Sequence, residues 1–208
     1  MRTLRLLTLC GLALAVILTS CGGSNGSSGS SGGSTPQYSF NVEPELLGEE
    51  YADRALGLRL SPPDGWAEAP PELREQVRSQ VAEGTELSVA EVGLRTLFVE
   101  RSSGSALVVY EPIESDNPAD VFEQWTVPED ETAEFRHNGL RFFQARMVTE
   151  KQVRFTLAVE ARDGMVTVLQ YFMPQAHFKQ VGRSIESSIG SIEPLDGGGS
   201  MGSGGRGA

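Results

Sequence analysis

Cysteine is almost missing from this chain. Only Cys10 and Cys21 occur, so everything after position 21 lacks a thiol for a disulfide, a thiolate nucleophile or a soft-metal site. Histidine is as scarce. His137 and His177 stand alone, with no His-x-His or His-x-x-x-His spacing, which excludes a sequence-local zinc site. No Gly-x-Ser-x-Gly elbow occurs at a strand-to-helix turn. A Ser/His/Asp arrangement therefore requires Ser61, Ser103 or another loop serine to meet His137 or His177 across the fold. The glycine-rich runs contain neither the Walker lysine nor dinucleotide-binding spacing. Lysine is limited to Lys151 and Lys179. There is no basic patch with interleaved aromatics, and the net charge is −11 at pH 7, so the chain repels nucleic acid and anionic headgroups. The acidic run Glu129-Asp130-Glu131 with Glu134 lacks the ligand spacing of a calcium loop. No cofactor and no metal is implied.

What is present begins with an apolar leader. Arg2 and Arg5 precede thirteen almost unbroken hydrophobic residues, Leu6 to Leu18. As a helix these span roughly 20 Å, short of a bilayer core of about 30 Å. They read as the core of a secretory leader covering residues 1–20 rather than as a permanent span.

The leader ends in Leu18-Thr19-Ser20-Cys21, which resembles the lipobox of bacterial lipoproteins. The resemblance implies that the Cys21 thiol receives a diacylglyceryl group. It implies that lipoprotein-processing machinery then cuts between Ser20 and Cys21. Membrane lipid attached at Cys21 is then the first partner, and the protein sits on the extracytoplasmic side of the cell envelope. One acyl chain anchors marginally at roughly 0.8 kcal/mol per CH₂, whereas two or three hold firmly. Gly22 stands where an aspartate would signal inner-membrane retention, which points to the outer membrane in a diderm cell. Loss of Arg2 and Arg5 leaves 15 basic against 28 acidic residues, a net charge of about −13.

Residues 22–34 are glycine and serine apart from Asn25. This composition offers nothing to bury and predicts a flexible tether within residues 21–37, spanning roughly 20 Å root-mean-square. Residues 197–208 form a second glycine-rich tail. A single domain is expected over residues 38–196.

Within it, residues 37–50 suggest an edge strand, and Glu45 to Ala55 a short helix. Leu56 to Leu60 reads as a strand stopped by Pro62-Pro63-Asp64-Gly65, with Trp66 plugging the core. Pro71 to Ala82 is predicted to be a helix carrying Leu73, Val77 and Val81 on one face. Strands are expected over Leu87–Val92, Arg95–Arg101 and Ala106–Tyr110. Asn117 caps a helix begun by Pro118, with Val121, Phe122 and Trp125 inward, and Pro128 to Thr132 is an acidic loop. From Glu134 the pattern is a meander: His137-Asn138-Gly139 turns, Arg141–Thr149 returns, and Gln152–Ala161 alternates strictly. Asp163-Gly164 then turns into Val166–Phe172. In Gln152–Ala161 one face is apolar and the other is expected to be wetter. His137 reads as an exposed turn residue, and His177 as part of a helix opened by Pro174. Phe178, Val181, Ile185, Ile189 and Ile192 recur at helical spacing and need the Phe155 face as partner. Gly182 and Gly190 suggest close approach of that helix to a sheet.

This layout resembles the Mog1/PsbP-like fold. Leu58-Arg59-Leu60-Ser61-Pro62-Pro63-Asp64-Gly65-Trp66 is similar to its opening strand and Pro-x-Gly-Trp turn, and Phe178 to Ile192 to its closing helix. The expected class is α+β, an α/β/α sandwich around a mainly antiparallel sheet. The resemblance implies a non-enzymatic protein-binding or assembly module with an envelope protein as partner. Two other readings stay open: binding of a small apolar or amphipathic ligand between sheet and helices, and hydrolysis. Tyr110, Phe142, Phe143, Tyr171 and Phe172 are the candidate ligand or partner contacts.

The intact mass of membrane-extracted protein is expected to correspond to a chain beginning at Cys21 plus lipid. A chain retaining Arg2, or an unmodified Cys21, overturns the anchor. Cys21→Ala is expected to release the protein without unfolding the domain.

Overall fold

The computed structural model describes residues 35–84, 93–127, 130–162 and 164–195. The leader, Cys21, the tether, the tail from 197, the strand expected over Leu87–Val92, and Asp163 of the last turn lie outside the described residues. In chain order the elements are β1 (Tyr51–Asp53), β2 (Leu58–Leu60), β3 (Ala67–Glu68), α1 (Pro71–Gly84), β4 (Leu94–Glu100) and β5 (Ser105–Tyr110). They continue with β6 (Ile113–Glu114), α2 (Pro118–Glu123), β7 (Glu131–His137), β8 (Leu140–Val148) and β9 (Gln152–Arg162). β10 (Met165–Pro174), α3 (Phe178–Gly190) and β11 (Glu193–Pro194) close the fold.

Among the described residues, eight strands form one antiparallel sheet in the order β3-β4-β5-β10-β9-β8-β7, with β6 beside β10. The meander β7–β10 follows from the period-two alternation. Asn138 (φ 48°) and Gly139 (φ 79°) turn its first hairpin in the left-handed region that an Asn-Gly pair enters readily. A small sheet, β1-β2-β11, lies apart from it.

The main sheet is covered on both faces, which makes the fold an α+β sandwich. On one side Val153, Leu157, Val159, Tyr171 and Met173 pack with Ile185, Ile189 and Ile192 and with Trp66. On the other, Leu97, Val108, Ala158 and Val168 pack with Val121, Phe122 and Trp125, and with Leu73 and Val77 of α1. The Asn117 side chain caps α2 by accepting from the Ala119 N–H.

Four expectations change. The stretch 45–55 contains a 3₁₀ turn (Pro44–Leu46) and β1 instead of a helix, because Pro44 sits at its start and Tyr51 to Asp53 pair with β2. β7 begins at Glu131, inside the expected acidic loop, through pairing with Arg146. The second face of β9 is drier than expected at its centre: Thr156 is 0% exposed and Ala158 is buried because α2 covers them, while Arg154 and Glu160 stay half-buried. Helix α3 starts at Phe178 rather than Pro174, which still belongs to β10, and a 3₁₀ turn (Gln175–His177) joins the two.

Residues 36–42 form a strap along the outer edge of β7. Gln37 and Arg136 make a parallel bridge, the Tyr38 N–H donates to the Arg136 carbonyl at 2.8 Å, and the Arg136 N–H donates to the Pro36 carbonyl at 2.8 Å. The strap then crosses the end of α3 so closely that a Cβ on Gly190 would lie 2.5 Å from Phe40 Cβ. Glycine is required there by the strap, not by the sheet. Thr35 Oγ1 donates to Glu134 Oε1 at 2.9 Å, and Arg141 Nε to the same oxygen at 2.8 Å.

Ile185→Ala is expected to destabilise the domain by about 2–5 kcal/mol, because Ile185 is 1% exposed. Glu186→Ala, one residue off the stripe, is expected to change stability little. Equal denaturation midpoints for the two variants would remove α3 from the core. The Arg141 hydrogen bond holds the Glu134 carboxyl below the ordinary glutamate range, against a burial effect and with help from Thr35. A lowered folded-state value makes the contact fully stabilising above the ordinary value of about 4.3 and lost as pH falls through the lowered one. In an NMR titration the amides of Gln37 and Tyr38 are expected to shift together with the Glu134 carboxyl. A carboxyl that titrates while those amides stay still would show that the strap does not depend on it.

Candidate functional site

A cleft of about 580 Å³ opens between the first half of α3, the strap and the ends of β7, β8 and β9. Its walls follow from the stripe on α3. Phe178, Ile185 and Ile189 face the sheet and Val181 continues the stripe, but the adjoining position 182, four residues after Phe178, is a glycine. A Cβ there would meet only the Phe178 ring, at 3.6 Å. The missing side chain leaves space over Phe135, Gln144 and Phe155 of the sheet. Phe155 and Phe178 approach at 6.2 Å between ring centroids.

The third wall is the strap. Tyr38, Phe40 and Phe135 form an aromatic cluster with centroid separations of 4.8, 5.6 and 5.8 Å. Tyr38 is 50% exposed. Beneath them, Phe142 stacks on Phe135 at 5.1 Å with rings 5° from parallel. His137 lies beyond the cleft, edge-on to Phe40 at 4.9 Å. It is buried, with one ring nitrogen 3.2 Å from the Tyr38 carbonyl and the other 2.9 Å from the Gly190 carbonyl. This corrects its reading as an exposed turn residue: strap and α3 cover the hairpin. Asn138 Nδ2 donates to the Ile192 carbonyl at 3.0 Å.

Among the described residues, the charges that rim the cleft are Glu134, Lys179, Arg183 and Glu186. Two are engaged. Glu134 holds Arg141 and Thr35, and Arg183 grips the Glu43 carboxylate of the strap through Nε at 3.1 Å and Nη2 at 2.5 Å. No serine, cysteine or histidine among the described residues lines the cleft. The arrangement can hold an apolar body and address a polar head.

The five aromatics proposed from the sequence do not come together. Phe142 and Tyr171 lie on the α3 face. Tyr110, Phe143 and Phe172 lie on the α1/α2 face. The Tyr171 hydroxyl bonds to Ser188 Oγ at 3.0 Å, and Ser188 Oγ donates to the Ser61 carbonyl at 2.7 Å, which ties α3 to the end of β2. Tyr110 donates to Gln170 Oε1 at 2.8 Å. Burial pushes both phenols upward in pKa. Phe143 packs on Phe122 at 5.8 Å and under the Arg141 guanidinium at 4.7 Å. Of the five, only Phe142 reaches the cleft, through Phe135. By pattern, Tyr38 and Phe40 belong to an edge strand, and Phe155, Phe178, Ile185 and Ile189 to the core. A signal did exist: Gly182 borders the stripe, four residues after Phe178 and three before Ile185, where a side chain would widen the apolar face.

Neither candidate serine bonds to a histidine. Ser61 bonds to Ser188 and Ser191, and Ser103 Oγ donates to Ser105 Oγ at 2.8 Å. Among the described residues no three His, Cys, Asp or Glu side chains gather as a metal site, and no helix is long and apolar enough to cross a membrane. The buried charge at Asp53 is structural. Burial raises its carboxyl, but Arg95 Nε at 2.6 Å, the Tyr51 hydroxyl at 2.9 Å and the Ala55 N–H at 2.7 Å outweigh burial and hold it below the usual range.

No family model matches the chain, and no curated protein matches it. Solved structures do. The solution structure of cyanobacterial PsbP from Synechocystis sp. PCC 6803 is 13% identical, with a TM-score of 0.48, over 80% of this chain and 98% of that one. A crystal structure from Bacteroides thetaiotaomicron is 9% identical, with a TM-score of 0.46, over 74% of this chain and 51% of that one. LpqN of Mycobacterium tuberculosis, described as involved in cell envelope biogenesis, is 13% identical, with a TM-score of 0.41, over 76% of this chain and 98% of that one.

Proposed function

We propose that this chain is a non-enzymatic binding module tethered through Cys21 to the outer face of a cell-envelope membrane, and that the cleft beside α3 takes the apolar part of a small amphipathic ligand. The cleft is the observation that carries the reading. Its 580 Å³ fall inside the roughly 300–1,000 Å³ of small-molecule sites, and such sites combine apolar walls with a few polar groups. Here aromatic and isoleucine side chains supply the walls, and Gln144 and the rim charges supply the polar groups. The lipobox supports the membrane address, and Gly22 supports the outer membrane in a diderm envelope.

A protein partner is the second reading. Among the described residues, the outer edge of β7 is paired only where the strap bridges Arg136. The exposed Tyr38 lies beside that open edge, a setting for strand addition.

Gly182→Leu separates the two. Leucine is a better helix former than glycine by up to about 1 kcal/mol, and its side chain would enter the cleft. Wild-type protein is expected to bind the neutral fluorophore N-phenyl-1-naphthylamine saturably. The variant is expected to lose at least about tenfold in affinity, with a melting temperature no lower than wild type. Undiminished binding by a folded Gly182→Leu would exclude the cleft as the site. Capture of an envelope protein equally by both forms would favour the second reading.

A further inference from the structure

We infer that the ligand is a zwitterionic phospholipid-type amphiphile drawn from the bilayer that holds the anchor, with an acyl chain in the cleft and its headgroup between Lys179 and Glu186. This inference rests on the reading of the cleft as a ligand site.

The rim charges carry the argument. Glu134 is satisfied by Arg141 and Thr35, and Arg183 by Glu43. Among the described residues no opposite charge lies within ion-pair distance of Lys179 or Glu186, although both line the cleft. They are seven residues apart on α3. Seven residues are nearly two turns, so the two project on one side, about 10 Å apart along the axis. Between them lie Gly182, which has no side chain, and Arg183, whose exposed guanidinium is turned onto Glu43 and also attracts Glu186. A headgroup laid over Gly182 meets a cation at the Lys179 end and an anion at the Glu186 end. A phosphate fits the first and an ammonium the second.

The charge of the whole chain selects among headgroups. At −11, the protein repels any ligand of net negative charge. A phosphate carried with its own ammonium feels no such net repulsion, and its two charges match the two open rim groups. An uncharged sugar head leaves both of those groups without a partner.

Chain connectivity supplies the source. The strap that walls the cleft begins directly after Thr35, fourteen residues beyond Cys21. Fourteen residues reach at most about 50 Å even at full extension. With Cys21 in the bilayer, the mouth of the cleft is confined to that distance from the lipid headgroups.

The test uses the mature chain from position 21 onward, carrying Cys21→Ala, so that neither leader nor lipid competes for the cleft. Lysophosphatidylethanolamine, lysophosphatidylglycerol and an alkyl glucoside of matched chain length are compared, each below its micelle threshold, by displacement of N-phenyl-1-naphthylamine. The zwitterionic lipid is expected to bind at least about tenfold more tightly than the other two. Lys179→Ala and Glu186→Ala are each expected to bring it to the level of the glucoside, without changing glucoside binding. If all three bind alike and neither variant matters, the headgroup inference fails while the cleft reading stands. If the anionic lipid binds tightest, Lys179 is a simple cation site and the inference fails as well. If none displaces the probe from folded protein, the cleft reading itself fails.

Discussion

The central stretches of β9 and β10 exclude water on both faces, and the other layers are arranged to keep them dry. Leu157, Val159, Leu169 and Tyr171 are buried toward α3, while Ala158, Val166 and Val168 are buried toward α1 and α2. Polar side chains in these strands gain from partners inside the protein, because an unpaired buried group costs about 1–3 kcal/mol, and among the described residues the Thr167 hydroxyl is left without one. Gln170 has two, donating to Thr156 Oγ1 at 3.1 Å and accepting from Tyr110. The Tyr171–Ser188–Ser61 chain does the same between layers. These bonds fix where α3 can sit, and they add direction to a hydrophobic contact that has none of its own.

The cleft is a consequence of that fixing. Helix α3 is held over β9 and β10 at its C-terminal half by Ile185, Ile189 and the Ser187–Ser188 pair, all buried. Its N-terminal half offers only Phe178, against Phe155 of β9, and Val181, and Gly182 offers nothing. The sheet surface at Phe135, Gln144 and Phe155 is left for the strap to enclose. The strap encloses it incompletely, through a single bridge to Arg136, the Glu43–Arg183 pair and three aromatic rings.

Most of the fold was legible because the periodicities were strict. The alternation of Val153, Phe155, Leu157 and Val159 marked the α3 face, the Asn138-Gly139 turn fixed the hairpin, and the spacing of Ile185, Ile189 and Ile192 identified the covering helix and its partner. What failed was local pattern overridden by tertiary contact. Thr156 looks polar and outward, yet α2 buries it. His137 looks like turn polarity, yet two carbonyls from distant segments enclose its ring. The site was less legible than the fold. Aromatic residues such as Tyr110 and Phe143 attract attention in a sequence because they are large, but in a two-faced sheet large residues are used for packing. A cleft is made where a side chain is missing, and Gly182 was read as permitting close approach when it leaves a gap.

The three walls of the cleft also differ in how firmly they are held. The sheet wall belongs to the most buried part of the protein, and α3 is tied to it by core isoleucines and a hydroxyl chain. The strap is mostly exposed, and its contacts are short-range and partly ionic, so it sits at the low end of the local stability scale where ligand-admitting segments are drawn. That weakest wall is the one continuous with the residues leading back to Cys21. On the proposed reading of the cleft, a wall that yields without disturbing β9 and β10 would let an amphiphile enter sideways past Tyr38. The separation of a closely packed core from a lightly bonded strap is what lets one small domain be both stable and open.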